Sequence, residues 1–354
     1  MKYDHPNDAL RALASKLQPV SIQHAETDLV GRVLAQAIVA DRDSPAADVS
    51  AMDGYAIRLS DIGSDAPLPV VGECKPGSPP VDMPAQGTVR VFTGAIVPAD
   101  CEAVVKREDT QETESEIRLL PATSGTTKGL HIRRAGENAK QAETVLSPGI
   151  EIHAAHQATM SNFGCSTADV FRPVRVTILT TGDEVGLFGD TTPQPWQLRN
   201  SNRDSLTALL KVIPWISIVA VEHCIDDRSV LTDTLRERLK SCDAILMTGG
   251  VSMGDYDYVP DVIRDIGGDV VFHGLPIRPG KPVLGAATED GKLLMGLPGN
   301  PVSATIGCRR LALPLLANLA GVANWLPHPP FVKLKDAGDK SIPLHWMRLS
   351  RMVD

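Results

Sequence analysis

The chain has 354 residues, 43% hydrophobic and 22% charged, with a net charge of −8 at pH 7. This apolar content supports packed cores and argues against disorder, and the length suits two or three domains. An acidic chain with only 4% aromatic residues has no basic face imposed by composition and little stacking surface, so nucleic acid is not the expected partner.

The 29 glycines and 27 prolines follow no period of three, so they mark tight turns and not a collagen helix. Cys74, Cys101, Cys165, Cys224, Cys242 and Cys308 lie far apart with no Cys-x-x-Cys pair, so neither a zinc site nor a disulfide framework is expected. Residues 1–19 lack the apolar core of a signal peptide, and no apolar run is long enough to cross a bilayer. The cytoplasm is the expected compartment, with no membrane partner.

In chain order, Ala9, Leu10, Leu13 and Leu17 fall at helical spacing behind Asp8, and Pro19 ends that helix. A second helix is predicted over Asp28–Ala40, where Leu29, Val33 and Leu34 share a face. Residues 41–142 change character: prolines and glycines separate short apolar segments such as Thr88–Phe92 and Ala103–Lys106. This predicts a β-rich domain, with Arg107–Arg118 as an exposed hairpin. A helix over His153–Phe163 follows, with Gly164 as its C-cap. The expected division is a small helical linker and dimerisation domain (1–40 plus 143–172), interrupted by the β-rich insertion (41–142).

Residues 173–322 alternate strand and helix. Strands are predicted at Val174–Leu179, Ile216–Val221, Ala244–Met247, Val270–His273 and Leu293–Gly296. Helices are predicted at Arg203–Val212, Asp227–Lys240, Val259–Ile266 and Pro301–Ala320. That alternation predicts a parallel, three-layer α/β domain with right-handed crossovers. Residues 323–354 are proline-rich and then weakly strand-like.

Ligands bind such sheets at the carboxyl ends of the strands. Three strand-to-helix junctions carry glycine-rich polar loops: Thr180–Val185, Thr248–Tyr258 and Leu297–Ala304. Glycines let backbone approach a ligand, and N–H groups at a helix start attract oxyanions. Gly249, Gly250, Ser252, Pro298, Gly299, Asn300 and Ser303 are the candidate binding residues, with Pro301 suited to a first helical turn. Singly, each loop reads equally well as an ordinary turn or cap; three at one sheet edge point to an anionic ligand. Arg278 and Lys281 flank a nearby Pro-Gly turn and add cations. Glu184, Asp226, Asp227, Asp255 and Asp257 are candidate carboxylates for Mg²⁺, and either Asp226 or Asp227 could instead cap the following helix. In the β-rich region the Met-Asp-Gly-Tyr turn places Asp53 on a tight bend. No Walker A loop or dinucleotide-binding fingerprint is present.

Together the segments SAMDGYA (50–56), RVFTGAIVP (90–98), CEAVV (101–105), RRAGE (133–137), TGDE (181–184), GGVSMG (249–254), PGKP (279–282) and LPGNPVSA (297–304) resemble MoeA-type molybdopterin molybdenumtransferases, a family related to the E domains of gephyrin. The resemblance implies insertion of molybdenum from molybdate into adenylylated molybdopterin, with Mg²⁺ and release of AMP. It implies catalytic roles for Asp53, Glu184, Asp226 and Asp257, with Asp226 and Asp257 as metal ligands. Thr93, Ser252, Lys281, Pro298, Gly299 and Asn300 would contact substrate. It further implies a homodimer in which Asp53 and Thr93 complete the other subunit's site, and contacts with other cofactor-biosynthesis proteins.

Three positions depart from the family pattern: Asn138 where Asp is frequent, and Arg278 and Gly274 where Lys is frequent. The resemblance also implies a C-terminal β-barrel, of which 323–354 would be a remnant. A non-catalytic molybdopterin carrier, regulator or scaffold is the alternative reading, and another pterin- or nucleotide-processing hydrolase is a weaker one.

Overall fold

Val174–Thr181 is buried at every position but Arg175, and forms strand β1. A run with no polar face belongs inside a sheet covered on both sides. The structure, a computed structural model, describes residues 3–186, 191–251, 257–326 and 343–347. In it β1 sits in a six-stranded sheet with β2 (Ile216–Cys224), β3 (Ala244–Thr248), β4 (Asp269–His273), β5 (Leu284–Ala287) and β6 (Leu293–Leu297), in the order β2-β1-β3-β6-β5-β4.

The first four strands in that order are parallel, as predicted. The expectation of a wholly parallel sheet fails at one edge, where β5 runs antiparallel to β6 and β4 antiparallel to β5. The reason is connection length. Residues 288–292 and 274–283 are shorter than the dozen or so needed for a parallel crossover.

The helices are α1 (Pro6–Ala14), α2 (Ala154–Asn162), α3 (Ser201–Lys211), α4 (Arg228–Leu239), α5 (Val259–Asp265), α6 (Pro301–Gly307) and α7 (Leu313–Leu319). A π turn over Cys308–Ala312 joins the last two into one helical run. Strand alternation sorts the core into two faces. Val176, Ile178, Leu246 and Met295 pack with Leu10 and Leu13 of α1, Leu206 and Leu210 of α3, and Leu315 of α7. Leu179, Ile245, Met247 and Leu294 pack with Leu231 and Leu235 of α4 and Val262 and Ile263 of α5. The result is the expected three layers.

The helix predicted over Asp28–Ala40 does not form. Asp28 and Gly31 have φ of 52° and 81°, which no right-handed helix accommodates. Val33–Leu34 instead pair antiparallel with Val170–Phe171, in a three-stranded sheet with Ile22–Ala25. Long-range pairing prevails over a weak local pattern.

The chain divides into two compact units, one of residues 1–37, 147–161 and 165–354, the other of 38–146 and 162–164. In the second, a six-stranded sheet runs in the order 103–106, 54–57, 88–91, 68–74, 116–119, 110–112. The last two strands are the hairpin anticipated within Arg107–Arg118. Ala56, Val89, Val91 and Val104 line its main core. Among the described residues no helix is long and apolar enough to cross a membrane.

Candidate functional site

The carboxyl ends of β1, β3 and β6 meet at their loops. Gly249 has a φ of 90°, and a Cβ there would lie 2.7 Å from the carbonyl oxygen and from the hydroxyl of Thr181. Only glycine permits this approach. The Gly249 N–H donates to the Leu297 carbonyl at 3.3 Å, and the Thr181 hydroxyl donates to the Thr248 carbonyl at 3.4 Å. A Cβ on Gly299 would come within 3.9 Å of the Gly249 Cα. The three glycine loops therefore form one continuous edge.

That edge opens on a cleft of about 450 Å³, walled by Glu184, Gly249, Gly299 and Asn300 together with Thr180, Asn200 and Asn202. Asn300 caps α6, its Oδ1 accepting from the Ser303 N–H at 3.1 Å, and Pro301 follows at the first turn. The Pro279–Lys281 turn abuts this cap: a Cβ on Gly280 would lie 3.7 Å from the Ser303 carbonyl oxygen and 3.9 Å from Pro298. The turn that Arg278 and Lys281 flank thus abuts Pro298 and the α6 cap, and Arg278, Lys281 and Pro298 are not among the described walls of the cleft. Gly250, with φ of 61°, continues the Gly249 turn.

The carboxylates separate by role. Asp227 is the cap of α4, accepting from the Val230 N–H at 2.9 Å. Asp226 is not. It and Asp183 exchange hydrogen bonds, Asp226 N–H to Asp183 Oδ1 at 3.1 Å and Asp183 N–H to Asp226 Oδ2 at 3.3 Å. Partial burial pushes the Asp226 carboxyl up, and the charges of Asp183 and Glu184 add to that rise. Asp257 lies two residues before α5. Ser252 and Asp255 fall outside the described residues.

Within the β-rich unit, Asp53 Oδ1 accepts from both the N–H (2.8 Å) and the hydroxyl (2.9 Å) of Thr93. Those bonds hold its carboxyl below the usual range, helped by the charges of Arg90 and Arg107. The following Gly54 is forced, because a Cβ would stand 1.9 Å from the Val105 carbonyl oxygen across the strand pair. Arg133 donates to Glu137 and to Asn138 Oδ1, each at 2.7 Å. Asn138 therefore keeps a hydrogen bond to Arg133 and supplies no charge. A larger hollow of about 840 Å³ also lies in this unit. Its charges are paired among themselves, Arg58 with Asp100, Lys128 with Glu102 and Arg134 with Asp48. It offers no free charge to a ligand.

A sequence model of the MoeA N-terminal region (domain I and II) matches residues 5–164, and one described as "Probable molybdopterin binding domain" matches residues 177–318. This chain belongs to the MoeA family. A molybdopterin molybdenumtransferase of Haemophilus influenzae is 32% identical over 313 residues, covering 86% of this chain and 74% of the relative. One from Nostoc is 33% identical over 314 residues, covering 86% and 70%. The solved molybdopterin biosynthesis MoeA protein from Pyrococcus horikoshii OT3 superposes with a TM-score of 0.73 at 25% identity, covering 90% of this chain and 80% of that one.

Against this MoeA-family frame, sequence reasoning missed one wall of the cleft. Asn200 caps α3, and its amide donates to the Thr180 hydroxyl at 2.7 Å. Asn202 donates to the Gly299 carbonyl at 2.8 Å. The signal was present as Asn-Ser-Asn at the start of a helix, and reads locally as capping alone.

Proposed function

We propose that this protein inserts molybdenum from molybdate into adenylylated molybdopterin and releases AMP. Its family membership makes it a transferase of molybdenum cofactor biosynthesis; the insertion step, its residues and its assembly are the proposal. One observation carries it: three glycine turns converge on a single cleft at the carboxyl edge of the sheet, inside the span that matches molybdopterin-binding domains.

Backbone N–H groups at the Gly249 and Gly299 turns and at the start of the helical run of α6 and α7 are suited to the phosphate and pterin groups of the substrate. Thr93, Ser252, Arg278, Lys281, Pro298, Asn300 and Ser303 are the remaining proposed substrate contacts. Asp226 and Asp257 are the proposed ligands of Mg²⁺, with the charge of Glu184 acting on Asp226. Among the described residues no three His, Cys, Asp or Glu side chains gather to hold a metal. One or two carboxylates plus substrate phosphate is the usual manner of holding Mg²⁺, and the negative charge around Asp226 fits a divalent cation. Bound there, Mg²⁺ neutralises phosphate charge. Asp53, ionised and oriented by Thr93, is proposed to act across a homodimer on the other subunit's site. The division into a linker (1–40 plus 143–172), β-rich insertion and α/β domain belongs to this reading, as do the cytoplasm as its location and contact with other cofactor-biosynthesis proteins.

The test is reconstitution with adenylylated molybdopterin, molybdate and Mg²⁺, following AMP release and activation of an apo-molybdoenzyme. Turnover that falls with Asp226→Asn and Asp53→Asn is expected. Tight substrate binding without AMP release would instead support the carrier reading, which the uncharged Asn138 beside Arg133 favours. Sedimentation that shows monomer alone at micromolar concentration removes the shared site.

A further inference from the structure

Arg278 and Lys281 are exposed, and neither makes an ion pair among the described residues. A surface arginine with no partner samples many rotamers, which costs affinity for any anion it must meet. An acidic neighbour would order it and cancel its charge. An aromatic face orders it and leaves the charge intact.

The structure supplies such a face from far along the chain. His345–Trp346 pairs in parallel with Ile277–Arg278. The His345 N–H donates to the Pro276 carbonyl and the Met347 N–H donates to the Arg278 carbonyl, each at 2.7 Å. The imidazole of His345 reaches the Asp4 carbonyl at 3.0 Å and meets His5 edge-on at 4.5 Å. These contacts fix the backbone on both sides of Trp346, and the Arg278 guanidinium lies over its ring, 5.7 Å from the centroid. Arg278 leads directly into the Pro279–Lys281 turn that abuts Pro298 and Ser303.

We infer that Trp346 is a positioning residue for Arg278, holding the guanidinium as a preformed ligand for a tetrahedral oxyanion beside the α6 cap. The oxyanion is either free molybdate or a phosphoryl group of the pterin substrate. This rests on the anion-binding reading of the site and extends it to the segment 343–347.

The test measures anion affinity of the full chain by calorimetry, with molybdate and with AMP as separate probes. Trp346→Leu, which keeps apolar bulk and removes the π face, is expected to weaken one of the two by about three- to tenfold. Trp346→Phe is expected to stay within about twofold of the native protein. In an Arg278→Ala background, Trp346→Leu is expected to add nothing. A loss confined to molybdate assigns the free anion, and one confined to AMP assigns the phosphoryl group. The inference is overturned if Leu and Phe behave alike, if the loss persists without Arg278, or if the native protein binds neither probe. Thermal unfolding of the Leu and Phe variants verifies a common fold. Turnover does not enter, so absent AMP release with intact Trp346–Arg278 coupling defeats the insertion reading alone.

Discussion

The two ends of the α/β sheet treat charge in opposite ways. At the amino end, Asp243 precedes β3 with its side chain 8% exposed and clamped by two arginines. Arg172 Nη1 and Nη2 donate to its two oxygens at 2.6 and 2.8 Å, and the Arg175 N–H donates at 2.8 Å. Burial pushes this carboxyl up, but the bonds from Arg172 and Arg175 outweigh it and bring it down to about 2. At the carboxyl end, Asp226 faces further carboxylates and is pushed up. One end uses its charges to tie strands together. The other gathers like charge beside glycine turns at positive φ. That contrast is what an anion and cation site requires.

The comparison can be broken most directly at Asp243. Asp243→Ala strands two partly exposed arginines and is expected to cost about 3 kcal/mol in urea unfolding, with ligand affinity of the folded protein unchanged. Gly249→Ala forces a Cβ against Thr181 at positive φ, and a cost of about 2 kcal/mol is expected, here together with loss of substrate binding. The sign of pH dependence separates the ends as well. The Asp243 carboxyl is depressed in the fold, so its contribution is complete above the unfolded value near pH 4 and is lost as pH falls toward about 2. It amounts to about 2 kcal/mol, measurable as an acid shift of the unfolding midpoint that Asp243→Asn abolishes.

Asn300→Ala removes the α6 cap and is expected to cost about 1 kcal/mol, with weaker substrate binding measured by calorimetry. The smallest stability effect belongs to Asp226→Asn. A raised carboxyl favours the fold below its unfolded value and loses that advantage as pH rises through the folded one. At neutral pH the amide is therefore expected to leave stability unchanged or raise it by up to about 0.5 kcal/mol, while Mg²⁺-dependent turnover collapses. If Asp226→Asn destabilises as Asp243→Asn does, the two ends are not different in kind.

Much of this was legible in the residues. Ala244–Thr248 and Leu293–Leu297 are near-continuous apolar runs, and Val174–Leu179 is apolar at four of its six positions, each followed by glycines, so both the strands and the loops at their ends could be read locally. Leu284–Ala287 escaped, because Leu-Gly-Ala-Ala carries no strand signature. It becomes a strand only through pairing with Leu293–Leu297. Asp226 and Asp227 were indistinguishable as neighbours, and only their hydrogen bonds separated the α4 cap from the carboxylate that accepts from Asp183.

What the sequence by itself determined is the class of the fold and the glycine loops at the sheet edge, since apolar periodicity and glycine turns act within a few residues. The tertiary structure decided what depends on residues far apart. It turned the sheet antiparallel at one edge, added Asn200 and Asn202 to the cleft, and set Trp346 against Arg278. The Asn202–Gly299 and Trp346–Arg278 contacts join segments separated by tens of residues, where only the packed chain fixes which partners meet, whereas the antiparallel edge follows from short connections once Leu284–Ala287 has paired as a strand.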